Sequence, residues 1–349
     1  MNKKQFGFGI VGAGNIAHVH ARAIAAISNA RLVGVWSKTA ANAGRFAQEH
    51  QCTAYASFED MLAVPTIDIV CICTPSGLHM EAALKSIDAG KHCLIEKPLE
   101  VTLERCDRII VAAEKAGVKV AVVFPSRFYD ESMCIKRAVD ENKFGSLALG
   151  SAYIKWSRTE AYYQSSEWRA TWQYDGGGAL MNQGIHSVDL LQWYMGPVES
   201  VQAFVANIRH KQLEVEDTLT AAIRFDDGAL GTIECSTAVY PGSLKRIEIL
   251  GTEGTAILEE SALVKWEFRN GQARPVLDNA NKKMQGGVSD PTDISFAGHQ
   301  LQIEDLLRSL ELGTRPLVDG SEGRKSVEIV LAIYESAKTG RLVRLRKHA

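Results

Sequence analysis

Phe6-Gly7-Phe8-Gly9-Ile10-Val11-Gly12-Ala13-Gly14-Asn15-Ile16-Ala17 decides the fold. Its first six residues read as a buried strand, and the rest as a tight turn into a helix. Gly12 permits the turn, and Gly14, without a Cβ, lets a pyrophosphate come close to the backbone. Ala17 is the third small position, where helix and strand pack tightly. Asn15 and Ile16 lie in the first helical turn, whose open N–H groups and positive dipole end attract phosphate. A glycine pattern of this kind occurs by chance when it stands alone. After a first strand, and ahead of a helix and a second strand, it reads as a dinucleotide-binding turn. The alternative is a plain βα turn.

Outward from the turn, apolar runs and helical patterns alternate to about residue 125. Strands are expected at 6–11, 31–36, 67–74, 92–95 and 119–124, with helices at 15–26, 40–50, 76–89 and 102–116. This alternation favours a parallel sheet covered by helices. The near-continuous apolar run 67–74 fits a strand buried on both faces. The second strand ends in Trp36-Ser37-Lys38. NAD readers usually carry an acid there, about 20 residues past the glycines, to bond the ribose 2′-hydroxyl. Ser37 and Lys38 could hold a 2′-phosphate instead, so the cofactor, NAD or NADP, leans to NADP. A solvated loop charge is the other reading of Lys38.

Bulk properties are those of an ordinary globular enzyme. The 349 residues suit two domains, set at 1–125 and 126–349, with the last helix a candidate to pack back on the first. Hydrophobic residues make up 46% and the formal charge is −2, so a nucleic-acid partner is not expected. No run reaches the ~20 apolar residues of a membrane span, and no signal-peptide core is present. The basic tail 341–347 is interleaved with Leu and Val and reads as a strand. Seven cysteines without paired spacing suggest reduced thiols and a cytoplasmic protein.

From 147 onward the pattern becomes that of an antiparallel sheet. Strands are expected at 147–156, 198–209, 215–225, 229–236, 244–250, 255–258 and 263–268, with turns such as Asp227-Gly228 and Glu253-Gly254. A helix at 178–194 interrupts them. A surface loop is expected over 270–291, and helices at 298–312 and 321–339. The expected architecture is α/β: a Rossmann domain, then an α+β domain with an open, mostly antiparallel sheet, and a cleft between them.

Two motifs point to chemistry. Glu96-Lys97-Pro98 follows a parallel strand, and ligands of open α/β sheets bind beyond the strands' carboxyl ends. Lys97 there could polarise a reacting hydroxyl, or it could be a surface lysine paired with Glu96. Gly176-Gly177-Gly178 leads into a helix carrying Asn182, His186 and Asp189 at i, i+4 and i+7, on one helical face. The glycines let the helix start approach a ligand or another backbone. An imidazole is the natural proton acceptor in alcohol oxidation, and Asp189 could orient it. A satisfied core histidine is the bland alternative. These residues lack a zinc ligand set, and no metal is expected. Arg127, past the strand at 119–124, is a candidate to reach the nicotinamide. His299 could complete the pocket or cap its helix. Arg158, Tyr162, Tyr163, Trp168 and Arg169 form either a substrate lid or an ordinary loop.

The glycine turn, Cys73-Thr74-Pro75-Ser76-Gly77-Leu78-His79, Glu96-Lys97-Pro98 and the segment Gly176 to His186 occur in an order that resembles the glucose–fructose oxidoreductase / inositol dehydrogenase / MocA (Gfo/Idh/MocA) family. The resemblance runs to Ile333-Tyr334-Glu335-Ser336-Ala337-Lys338-Thr339-Gly340-Arg341. It implies a bound NAD or NADP, a sugar, cyclitol or sugar-derivative substrate, and a homodimer or homotetramer formed through the second sheet. It implies Lys97 and His186 as catalytic residues. Thr74, Pro75, His79 and Glu96 then line the cofactor, and Trp168, Arg169 and Asn182 join Lys97 and His186 around the substrate. Many members carry an Asp where this chain has Asn182, and an Asn can only orient by hydrogen bonds. Asn182, Lys155-Trp156 and Trp168-Arg169 are similar to members acting on UDP-N-acetyl-hexosaminuronates. The expected reaction is hydride transfer between a nicotinamide and a secondary alcohol or ketone of a sugar, inositol, sugar acid or nucleotide sugar. The rivals are a non-catalytic dinucleotide sensor and an NAD-assisted glycoside-cleaving enzyme.

Overall fold

The computed structural model describes residues 4–271, 273–275 and 295–345. The chain divides into two compact units, Met1–Pro125 with Ser295–Arg324, and Ser126–Ile294 with Lys325–Ala349.

The first unit begins β1 (Phe6–Val11), α1 (Asn15–Ala25), β2 (Ala30–Trp36), α2 (Ala40–His50), β3 (Thr53–Ala54) and α3 (Phe58–Leu62). It continues β4 (Ile69–Ile72), α4 (His79–Asp88), β5 (His92–Ile95), α5 (Leu103–Ala116) and β6 (Val120–Val122). The strands form one six-stranded sheet in the order β3-β2-β1-β4-β5-β6, every pairing parallel. All residues of β1 and β4 are buried, as strands covered on both faces require. The order reverses direction between β1 and β4, which is where such sheets open a crevice at their carboxyl ends. The short β3 and α3 escaped the sequence pattern. Thr53 and Ala54 are both exposed and carry no alternation to read.

The second unit contains α6 (Asp130–Asp140), β7 (Leu147–Lys155), α7 (Glu160–Gln164), a π turn at Leu180–Gly184, α8 (Ile185–Met195), β8 (Val198–Ala206) and β9 (Thr218–Phe225). Then come β10 (Leu230–Ser236), β11 (Arg246–Gly251), β12 (Gly254–Glu259) and β13 (Ala262–Phe268). After α9 (Ala297–Leu312), α10 (Gly320–Thr339) leads to β14 (Val343–Arg344). Eight strands pair in the order β13-β12-β11-β7-β10-β9-β8-β14, antiparallel except for β7 with β10. In β9 buried and exposed residues alternate strictly, so one face of the sheet is packed and the other open. α8 packs on the covered face, where Gly150 of β7 makes room for Met195: a Cβ there would sit 2.6 Å from Met195 Cγ.

Two expectations need correction. α9 belongs to the first unit, because Ile303, Leu306 and Leu307 are buried in the cluster built by Ala17, Ile24 and Phe46. Burying each of the three is worth about 1.5–3 kcal/mol, a gain that local spacing cannot reveal. The single helix expected at 178–194 is instead a π turn followed by α8. The loop expected over 270–291 falls mostly outside the described residues, as does the end of the expected strand at 341–347, of which Val343–Arg344 forms β14.

Candidate active site

The glycine turn has the geometry its sequence requires. Gly12 has φ +95°, its N–H donates to Trp36 O (2.8 Å), and a Cβ there would lie 2.6 Å from Cys73 O. Gly14 caps α1 with extended backbone, and a Cβ built on it meets nothing within 4 Å. α1 has no side-chain cap and no acid in its first turn. Its leading N–H groups and positive end are therefore left without a side-chain cap, the arrangement a pyrophosphate fits. Ala17 is fully buried, Asn15 exposed and Ile16 half-buried. Thr74 and Pro75 leave β4 beside Gly12, and the Thr74 hydroxyl is buried without a hydrogen-bond partner. An orphaned hydroxyl and an open glycine at the strand-order reversal both fit a dinucleotide. Ser37, half-buried, and Lys38, exposed, follow β2.

Two residues expected at the cofactor are held by protein partners. His79 is buried, with Nδ1 2.8 Å from Pro98 O and Nε2 3.0 Å from Thr74 O. Burial pulls its pKa down, while Glu100 and the two carbonyls push it up. The ring thus braces the loop after β4 against the loop after β5. Glu96 is also buried. Its Oε1 accepts from His20 Nε2 (2.8 Å) and lies 3.8 Å from His299 Nε2, and its Oε2 accepts the Lys97 N–H (3.2 Å). Burial works to raise the Glu96 pKa, but hydrogen bonds from His20 and His299 hold it well below the usual carboxylate range. Lys97 itself is half-buried. His299 lies in this clamp, and His20 was missed because nothing local marks it.

In the second unit the triple glycine serves the protein's own backbone. A Cβ on Gly178 would come within 1.9 Å of Glu216 O, and one on Gly177 within 2.4 Å of Tyr334 Oη. Glu216 accepts from Gly178 N (2.9 Å), Leu180 N (2.8 Å) and Tyr334 Oη (3.0 Å), taking up N–H groups a helix start leaves open. Burial raises its pKa to about 7. Nothing local marks this residue, which sits between Glu214 and Asp217 ahead of β9.

The π turn adds a residue per turn. The spacing that put Asn182, His186 and Asp189 on one face therefore does not hold across it. Asp189 faces inward, and both its oxygens accept from Arg127, Nε to Oδ2 at 2.8 Å and Nη2 to Oδ1 at 2.7 Å. Arg127 is 0% exposed and lies 5.1 Å from the Trp193 ring. Arg127, expected at the nicotinamide, and Asp189, expected to orient His186, are thus joined in one buried ion pair. From Asp175 to Gln192 every residue is buried except Asn182 and His186, which are half-buried and form this segment's two openings. Asn182 Nδ2 donates to Asp175 Oδ1 (2.6 Å), and Asp175 Oδ2 accepts Ala170 N (2.9 Å). Asp175, missed in the sequence, sets the Asn182 amide.

Next to Asn182, Gln183 Nε2 donates to Tyr162 Oη (3.0 Å), as does Arg169 Nη1 (2.8 Å). The Arg169 guanidinium lies 4.4 Å from the Tyr162 ring and 4.9 Å from Trp168, and that of Arg158 lies 5.4 Å from Tyr162 and 5.0 Å from Trp156. Burial lowers the Arg158 pKa, and the Arg169 charge adds to it. Trp168 and Arg169 are thus part of a dicationic aromatic cluster.

Comparison with known proteins agrees with this division. Residues 6–124 match the model of an oxidoreductase family with an NAD-binding Rossmann fold, and residues 133–257 match the GFO/IDH/MocA C-terminal domain. The WlbA dehydrogenase from Bordetella pertussis, solved with NADH and UDP-GlcNAcA, is 32% identical over 100% of both chains, with a TM-score of 0.88. That from Chromobacterium violaceum, with the same two ligands, is 34% identical over 100% of this chain and 98% of its own, at 0.87. Inositol 2-dehydrogenase from Rhizobium meliloti is 25% identical over 96% of this chain and 98% of its own.

Proposed function

The chain belongs to the GFO/IDH/MocA family of NAD-binding oxidoreductases and is an enzyme acting on CH–OH groups, and we propose that it oxidises a secondary alcohol of an anionic nucleotide sugar of the UDP-GlcNAcA kind. The observation that carries the proposal is the pair of openings, Asn182 and His186, beside the Arg158–Arg169 cluster. A dication in aromatic surroundings favours a carboxylate or phosphate, and guanidinium groups match either with forked hydrogen bonds.

Bound NAD would supply the hydride acceptor. His186 takes the hydroxyl proton, and Lys97 stabilises the charge that develops on the oxygen. Asn182, held by Asp175, orients the sugar. Gly12, Gly14, Asn15, Ile16, Thr74 and Pro75 hold the dinucleotide, while His79 and Glu96 position that surface. Both WlbA structures carry NADH, which supports NAD here over the lean to NADP, and Ser37 and Lys38 are where a 2′-phosphate would bind. The open face of the second sheet, with Phe204 74% and Leu230 47% exposed, supports a homo-oligomer formed through it.

The test is turnover, read as reduced-nicotinamide absorbance, of UDP-GlcNAcA against UDP-GlcNAc and myo-inositol. The acid is expected to react best, Arg169→Leu to raise its KM, and His186→Ala to lower kcat about 10²–10⁴-fold. A neutral substrate preferred over the acid overturns the assignment. Cleavage without net NADH favours redox-neutral glycoside cleavage.

A further inference from the structure

We propose that His18, Glu49 and His50 form a binding site for a divalent transition-metal ion of the zinc type, apart from the groups assigned to the reaction. His18 lies on α1, and Glu49 and His50 lie in the last turn of α2. His18 Nδ1 is 2.9 Å from His50 Nε2 and 3.2 Å from Glu49 Oε1, and His50 Nε2 is 3.5 Å from the same oxygen. Three donor atoms therefore form a compact triangle. Tetrahedral zinc holds nitrogen and oxygen donors at about 2.0–2.2 Å, which spaces neighbouring donors about 3.3 Å apart. The point about 2.05 Å from all three donors sits about 0.9 Å above their plane, close to the position of a tetrahedral centre over its base.

The surroundings fit as well. The Phe46 ring centroid lies 4.9 Å from the His18 ring and 4.5 Å from the His50 ring, fixing both imidazoles. The side chains are 30%, 60% and 13% exposed for His18, Glu49 and His50, so an ion has an entry path and a fourth position open to water. Two imidazoles and one carboxylate favour zinc, cobalt, nickel or copper over magnesium and calcium. An ion there ties α1 to α2. Residue spacing hides the site, because His18 and His50 are 32 positions apart.

Titration of chelator-treated full-length protein with zinc, and separately with cobalt, tests the proposal. One equivalent is expected to bind, with the visible absorption of tetrahedral cobalt and a raised melting midpoint. His18→Gln is expected to lose the response, and Glu49→Gln, changed at a largely exposed side chain, to weaken binding about tenfold or more. Dinucleotide binding by Glu49→Gln should be unchanged. No uptake at micromolar metal, or uptake of equal affinity by both variants, overturns the site in favour of a plain His18–His50 hydrogen bond.

Discussion

Replacing Asp189 by alanine strips the carboxylate from a guanidinium that is 0% exposed. Asp189 accepts two short hydrogen bonds from Arg127, at 2.8 and 2.7 Å. Charge-assisted bonds contribute about 1.5–3 kcal/mol each, so the two together account for about 3–6 kcal/mol. Breaking a buried ion pair by removing one partner costs about 3–5 kcal/mol, because the remaining charge stays buried. The two estimates agree, and the expected loss is about 4 kcal/mol. With a urea slope of about 3 kcal/mol/M, the second unit's midpoint falls by about 1–1.7 M. Trp193, 5.1 Å from the guanidinium, is a local fluorescence reporter of that transition. The double variant Arg127→Met/Asp189→Leu should recover most of the loss, since a well-packed apolar pair can replace a buried ion pair at little cost. The reasoning fails if Asp189→Ala costs under about 1 kcal/mol. It fails equally if Arg127→Met/Asp189→Leu stays stable but loses NAD affinity, which would return Arg127 to the cofactor.

Three further outcomes are expected. Gly14→Ala should fold normally, since its Cβ meets nothing, yet bind NAD weakly; Gly12→Ala should also lose stability, because its Cβ meets Cys73 O and its φ is +95°. Equilibrium NAD titration with thermal melts separates the two. Burial raises the Glu216 carboxyl from its ordinary 4.5 to about 7 in the folded state, so it favours folding fully below pH 4.5 and loses that contribution as pH rises through 7. Relative to Glu216→Gln, the wild type should lose about 3 kcal/mol between pH 4.5 and 7.5, read from urea midpoints; a pH-independent difference refutes the burial argument. Lys38→Ala should leave kcat/KM with NAD within about twofold, and a larger loss with NADP than with NAD would mark Lys38 as the 2′-phosphate site.

What the sequence revealed follows the range of the forces involved. The turn at Gly12 was legible because its cause is local: a positive φ, a close strand and a helix start within six residues. β1 and β4 were legible because burial on both faces leaves an unbroken apolar run. Asn182 and His186 could be singled out, yet the register of Asn182 against His186 and Asp189 could not, because a π turn resets the helical register without any marker residue. His20, Asp175, Glu216 and Tyr334 stayed invisible for a different reason. Each is placed by contacts to residues far along the chain, such as His20 to Glu96 or Tyr334 to Gly178. Sequence spacing carries no record of such pairs.

The Glu96 carboxylate grips His20, on the helix that begins at the glycine turn, with one oxygen and the Lys97 backbone with the other. For an engineer this makes the first unit an indivisible part. Redesigning α1 to exchange one dinucleotide for another disturbs the same anchor that holds the lysine, so specificity and turnover will shift together. Successful exchanges should therefore cluster at residues 37 and 38 and leave residue 20 alone.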